Sequence, residues 1–215
     1  SHGSNIENAL TGSGNDYVIA NHFNNFVNTG DGHDTIFLGE GADTVDSGKG
    51  SDLIDLSELN QSVDIIKLSD SALNNDYDIV YGFKQGEAGD IIDITAILDG
   101  DVDLLPVVVL GNVPVGFISD HILRLVGESL DTPTLLSTAF ESDGLLENIH
   151  IKDEKTILVL TSVSQDTGVD QNLFAVNSYN EKFEVFPIST FIGEHLDIDG
   201  WLQDNFLYGY GSNIA

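Results

Sequence analysis

The chain has 215 residues, enough for one sizeable core, and it sets 36 Asp+Glu against 7 Lys+Arg for a formal net charge of −29. Nucleic acid and anionic membranes are themselves negative and are excluded as partners, whereas a hydrophobic content of 41% excludes a disordered acidic tail. Cys and Met are both absent, which removes disulfides and thiolate metal sites and leaves divalent cations as the natural way to neutralise a compact acidic fold.

The opening Ser1-His2-Gly3-Ser4 has the look of a cloning remnant and is set apart from the fold. Asn5-Ile6-Glu7-Asn8-Ala9-Leu10 leads into a stretch that holds eight of the 22 glycines, Gly12 to Gly50, and no proline. From Thr11 it runs without insertion as TGSGNDYVI, ANHFNNFVN, TGDGHDTIF, LGEGADTVD and SGKGSDLID. Position six holds Asp16, Asn25, Asp34, Asp43 and Asp52, and position eight holds Val18, Val27, Ile36, Val45 and Ile54. Glycine occupies positions two and four in every unit but the second, where Asn21 and Phe23 stand instead. Alternate glycines let the chain turn and point carbonyls inward, the Asp adds a carboxylate, and a β-branched residue two places on faces a core. One unit cannot bury its own apolar residue, so the units must stack.

These residues resemble the RTX (repeats-in-toxin) nonapeptide, G-G-x-G-x-D-x-U-x, a calcium-binding β-solenoid repeat. They depart from it at position one, which is Thr, Ala, Leu or Ser, and in the second unit. The resemblance implies an all-β chain: a short parallel β-roll over residues 5–66, then a β-rich capping region over 67–215 with one or two short helices. It implies two nonapeptides per turn, with ions held between loops eighteen residues apart. The first site would take Gly12, Gly14 and Asp16 with Thr29, Asp31 and Asp34. The second would take Gly30, Gly32 and Asp34 with Ser47, Lys49 and Asp52. Thr29, Asp31, Ser47 and Lys49 enter through backbone oxygens. On the other edge the degenerate loop of Asn21, Phe23 and Asn25 faces Leu38, Glu40 and Asp43 and holds an ion poorly. Gly39, Gly41 and Asp43 are open to a third ion together with the loop after Leu56. Calcium suits this donor set because it takes six to eight hard oxygens, whereas zinc or copper wants His or Cys.

Further along, Asp78-Ile79-Val80-Tyr81-Gly82-Phe83 and Gly89-Asp90-Ile91-Ile92-Asp93-Ile94 resemble the segment that closes such rolls. Gly82 stands where the family often has Asp, which weakens any metal role for Asp78, Asp90 or Asp93. Ser119 to Leu130 carries helical spacing at Ile122, Leu125 and Val126, and Thr132-Pro133 reads as N-cap and first residue of a second helix. Residues 155–161, 172–176 and 183–186 are strand-like by residue type. The region resembles the terminal domains of type I secreted adhesins and exoproteins, which would cover the open end of the roll, and the tail from Phe206 to Ala215 resembles an uncleaved C-terminal secretion signal.

No apolar run approaches the roughly 20 residues of a membrane helix, so no membrane insertion is expected. The six histidines (His2, His22, His33, His121, His150, His195) form no metalloprotease spacing and no triad. Paired acids could serve a glycosidase, but a nine-residue period is explained by metal stacking. Trp201, Tyr208 and Tyr210 are assigned to packing rather than to sugar stacking. The expected role is that of a non-catalytic, secreted or surface-exposed bacterial module that folds on extracellular calcium and is exported through a type I apparatus. The alternative is the terminal ligand-binding module of an adhesin or surface-layer protein, contacting a glycan, a cell or ice.

Overall fold

In a computed structural model, the chain is described at residues 7–68, 77–98, 103–104, 108–109, 116–118, 121–126, 130, 132–141, 144, 146, 149–151, 156–165, 168–179, 182–193, 196 and 205–207. Each nonapeptide contributes one loop and one short strand. The strands β1 (Asn8–Ser13), β2 (Tyr17–Ile19), β3 (Phe26–Asp31), β4 (Thr35–Phe37), β5 (Thr44–Asp46) and β6 (Leu53–Asp55) fall alternately into two parallel ladders. Tyr17 lies beside Thr35 and Thr35 beside Leu53, while Phe26 lies beside Thr44, so each turn is two nonapeptides. The ladders continue beyond the glycine-rich units through β7 (Ile65–Lys67), β8 (Asp78–Tyr81) and β9 (Ile91–Asp93).

The position-eight residues make the core between the two ladders. Val27, Ile36, Val45 and Ile54 are buried, and Ile66, Val80 and Ile92 extend the same rows. Leu38 and Leu56, each opening a unit, fill the corners. Single strands of three residues have no stability of their own; stacking supplies every hydrogen bond, as where Thr35 N donates to Asp16 O at 2.9 Å and Leu53 N to Asp34 O at 2.9 Å.

Beyond the roll follow β10 (Asp103–Leu104), β11 (Val108–Val109), β12 (Gly116–Ile118), β13 (His121–Val126), α1 (Pro133–Phe140), β14 (Ile149–Ile151), β15 (Thr156–Gln165), β16 (Gly168–Tyr179), β17 (Lys182–Ile192) and β18 (Phe206–Leu207). β17 pairs parallel to β8 and β18 pairs parallel to β9, so the last strand of each ladder has a partner. β16 and β15 continue the β17 side as long antiparallel hairpins. Alternate residues face opposite sides: Leu158, Leu160, Leu173 and Ala175 join the roll core, whereas Ile157, Val159, Phe174 and Val176 join a second core under α1. A sheet covered on both faces is why Ile157 to Leu160 is an unbroken apolar run. A buried seam fixes the junction, with the Tyr77 hydroxyl on Thr190 Oγ1 and Thr190 donating to Asn172 Oδ1 at 2.6 Å.

The helix expected around Ser119–Leu130 is a strand. His121–Val126 forms β13, paired with β15 from Ile122↔Leu158 to Leu125↔Thr161. Ile122 enters the roll core while Leu123 and Leu125 enter the second core. Apolar groups were needed on both faces, and a one-sided helix could not supply them. The second helix is as expected: Thr132 caps it, accepting from Leu135 N at 3.3 Å, and Pro133 opens it. Ser1–Ser4, His2, His195, Trp201, Tyr208, Tyr210 and the tail after Leu207 lie outside the described residues.

Candidate metal centre

The loops between strands stack into two columns, one on each edge of the roll. On the first edge, Gly12 lies beside Gly30 and Ser13 beside Asp31, and Asp31 is bridged in turn to Lys49. This brings Gly12, Gly14 and Asp16, then Thr29 to Asp34, then Ser47, Lys49 and Asp52 into one stack. Gly50 sits at φ +119°, and a Cβ on it would overlap the Gly32 carbonyl oxygen of the preceding turn. Both constraints, the left-handed backbone and the close approach, admit glycine alone. Tight stacking also engages the carbonyls. Gly14 N donates to Asp31 O at 2.7 Å, Gly32 N to Lys49 O at 2.8 Å, and Thr29 Oγ1 to Ser47 O at 2.9 Å. A carbonyl oxygen so engaged keeps a second lone pair. The Lys49–Asp31 ion pair, 3.5 Å long, lies on the exposed outer rim and contributes little.

The aspartates form two continuous ladders. On the first edge Asp16 N donates to Asp34 Oδ1 (2.8 Å), Asp34 N to Asp52 Oδ1 (2.7 Å) and Asp52 N to Asp78 Oδ1 (3.0 Å). On the second edge Asn25 N donates to Asp43 Oδ1 (2.7 Å), Asp43 N to Asp64 Oδ1 (2.9 Å) and Asp64 N to Asp90 Oδ1 (3.0 Å). Each carboxylate thus spends one oxygen on the backbone of the turn before it. The other oxygen, Oδ2 of Asp34, Asp43, Asp52 and Asp64, is buried with no hydrogen-bond partner. Burial raises the Asp43, Asp52 and Asp90 carboxyls to about 6 and that of Asp64 to about 7, against backbone hydrogen bonds that lower them.

A buried carboxylate oxygen with no donor is costly unless a cation faces it. Four of them stand in the two columns, and carboxylate oxygens are the hard donors that suit calcium. Among the described residues no three acidic or histidine side chains converge closely enough to hold an ion by themselves.

Asp64, Asp78 and Asp90 belong to these ladders although the Gly-x-Gly half of the repeat is gone before Asp64 and Asp78 and is reduced to Gly86 before Asp90, where Ala88 takes the second left-handed position at φ +56°. What persists is the other half, Asp followed two residues later by a buried aliphatic: Asp64 and Ile66, Asp78 and Val80, Asp90 and Ile92. The turns grow from eighteen residues to 21 and then 26, which breaks the nine-residue phase and hides the aspartates from a strict period. Asp93 is outside the ladders and accepts from Thr95 instead.

Architecture and columns together define a parallel β-solenoid built around acidic loop stacks. The peptidase M10 serralysin C-terminal family model matches residues 1–123, more than half of the chain and all of both columns, and the chain belongs to that family. Domains of this family are the non-catalytic, calcium-binding C-terminal parts of secreted proteins. Comparison with curated proteins finds no match. Among the described residues no helix is long and apolar enough to cross a membrane.

Proposed function

We propose that the chain is an RTX-type calcium-binding module that folds on meeting extracellular calcium and supports the export and stability of a larger secreted protein, without catalysing a reaction itself. The observation that carries this reading is the set of buried, partnerless Oδ2 atoms on Asp34, Asp43, Asp52 and Asp64. Two ions on the first edge, between Asp16, Asp34 and Asp52, use the residues named from the repeat: Gly12, Gly14, Gly30 and Gly32 with the backbone oxygens of Thr29, Asp31, Ser47 and Lys49. The second edge offers Gly39, Gly41 and Asp43 with Asp64. Residues 1–66 hold 11 acidic side chains and one lysine, so metal-free loops repel one another and binding energy becomes folding energy. Extracellular calcium modules work at roughly 10⁻⁴–10⁻³ M, which keeps such a chain open inside the cell and folds it outside.

Far-ultraviolet circular dichroism tests this: the chain should be largely unfolded in chelator and gain β structure in millimolar calcium, and an unchanged spectrum overturns the coupling. Export by a type I apparatus is tested by deleting residues 208–215, which spares β18 and its pairing to β9. Retention of the truncated chain in the cell is expected, and normal export would remove the signal from this tail.

A further inference from the structure

The roll is covered at one end and open at the other. Its ladders run on from β9 into β18 and from β8 into β17, whereas β1 and β2 stand last in theirs, with no outer neighbour among the described residues. Burial falls away there within each row. Ile36 and Ile54 are fully buried and Val18 ahead of them only partly; Val27 and Val45 are buried and Ala9 ahead of them only partly. Between the two end strands lies a cavity of about 200 Å³, with Ala9, Val18, Ala20 and Val27 in its lining. A core row that ends in a void has lost the contacts of its next member. The first-edge ladder is cut short in the same place. Asp34, Asp52 and Asp78 each accept from the backbone one turn earlier, and Asp16 accepts no such bond among the described residues.

Gly12 points the same way. A Cβ on Gly30 would strike the Gly12 carbonyl, and one on Gly48 the Gly30 carbonyl, so in each later turn glycine is required by the turn stacked before it. At Gly12 itself a Cβ meets nothing, and φ lies outside the left-handed region. Neither space nor backbone calls for glycine there, and within β1 a glycine weakens the strand. The residue suits the situation of Gly30 and Gly48, with one more carbonyl on its outer side.

We propose that this open end is a docking surface for one more turn of the same kind, supplied by the larger protein. The occupant is an eighteen-residue segment that adds a parallel strand to β1 and another to β2. It sets a loop carbonyl over Gly12, a backbone N–H on the Asp16 carboxylate and an apolar side chain in the cavity. This rests on the reading of the chain as a calcium-binding module of a larger protein. Direction and chemistry follow from continuity, because every turn already meets the next through parallel strands, a carbonyl against a glycine and an N–H on an aspartate. A second copy cannot offer that surface. Its far end is covered by β17 and β18, and two open ends meeting about a two-fold axis would pair antiparallel and bring together two chains of net charge −29.

The full chain is compared with a form that carries a copy of residues 29–46 inserted between Leu10 and Thr11. The insertion keeps the nine-residue phase and sets a glycine-loop turn over Gly12 and Asp16. By calorimetry the extended chain should take up at least one calcium ion more than the wild type. In saturating calcium, Gly12→Ala should lower the melting temperature by several degrees more in the extended chain than in the wild type, because only there does the new Cβ meet a stacked carbonyl. No additional ion, or an equal cost of Gly12→Ala in both chains, would mean that this end does not accept a turn. A wild-type dimer in calcium whose β1 and β2 amides are protected from hydrogen exchange would make a second copy the occupant. Either result overturns the proposal. A wild-type chain that takes up no calcium overturns the underlying reading instead, before any insertion is made.

Discussion

Asp64 shows how one side chain carries opposite duties in two states. Its Oδ2 is buried with no hydrogen-bond partner in the protein, and burial lifts its carboxyl to about 7. Asp64→Asn keeps an oxygen for Asp43 N but removes the charge, so it should raise the β structure remaining in chelator. One pKa unit corresponds to about 1.4 kcal/mol, which puts the relief on the order of 2–4 kcal/mol at neutral pH. The same substitution should weaken calcium at the second edge. A circular-dichroism spectrum in chelator unchanged by Asp64→Asn would show that the buried charge does not oppose folding. Position within the ladder matters too. Asp34 has charged neighbours on both sides, Asp16 and Asp52, whereas Asp43 has Asn25 on one side. Asp34→Ala should therefore lose more calcium stoichiometry, by calorimetry, than Asp43→Ala; equal or reversed losses would mean that the loops do not pair ions at eighteen residues along the first edge.

The nonapeptide's stacking is decided at the loops, and there glycine is a matter of space as well as of φ. Gly14, in the first turn, has φ +135° with nothing near a Cβ, whereas Gly50 would drive a Cβ into the Gly32 carbonyl. Gly14→Ala meets backbone strain alone; Gly50→Ala meets strain and overlap and should cost about 1–3 kcal/mol more. Melting in saturating calcium measures the difference, and equal losses would mean that the turns are not stacked this closely. The loops and strands of residues 11–55 were legible because every unit repeats the same local solution. The turns ending in Asp64, Asp78 and Asp90 were harder to read, since their loops vary in length and only the Asp and the aliphatic two residues later are kept. In β13 the spacing of Ile122, Leu125 and Val126 suits a helix, but pairing with β15 and apolar neighbours on both faces decided for a strand. Thr132-Pro133, a purely local signal, gave the helix start correctly.

Across the whole molecule, the two aspartate columns set a dependence on pH that differs in sign with and without calcium. Asp43, Asp52 and Asp90 titrate near 6 and Asp64 near 7 in the fold, against about 4 for an unfolded aspartate. Folded pKa values above the unfolded ones mean that the metal-free fold binds more protons than the open chain between about pH 4 and 7. Its stability is therefore present at the acid end and lost as pH rises through 6 to 7. In chelator, taking the solution from pH 8 to pH 5.5 should increase β structure. With calcium present the sign reverses, since an ion needs the carboxylates deprotonated and must displace those same protons. The calcium concentration at the folding midpoint should therefore rise as pH falls from 8 to 5.5. Circular dichroism across a grid of pH and free calcium reads both effects at once. If acidification lowers β structure in chelator as well, the columns do not hold their carboxylates in the buried, partnerless state on which the metal reading depends.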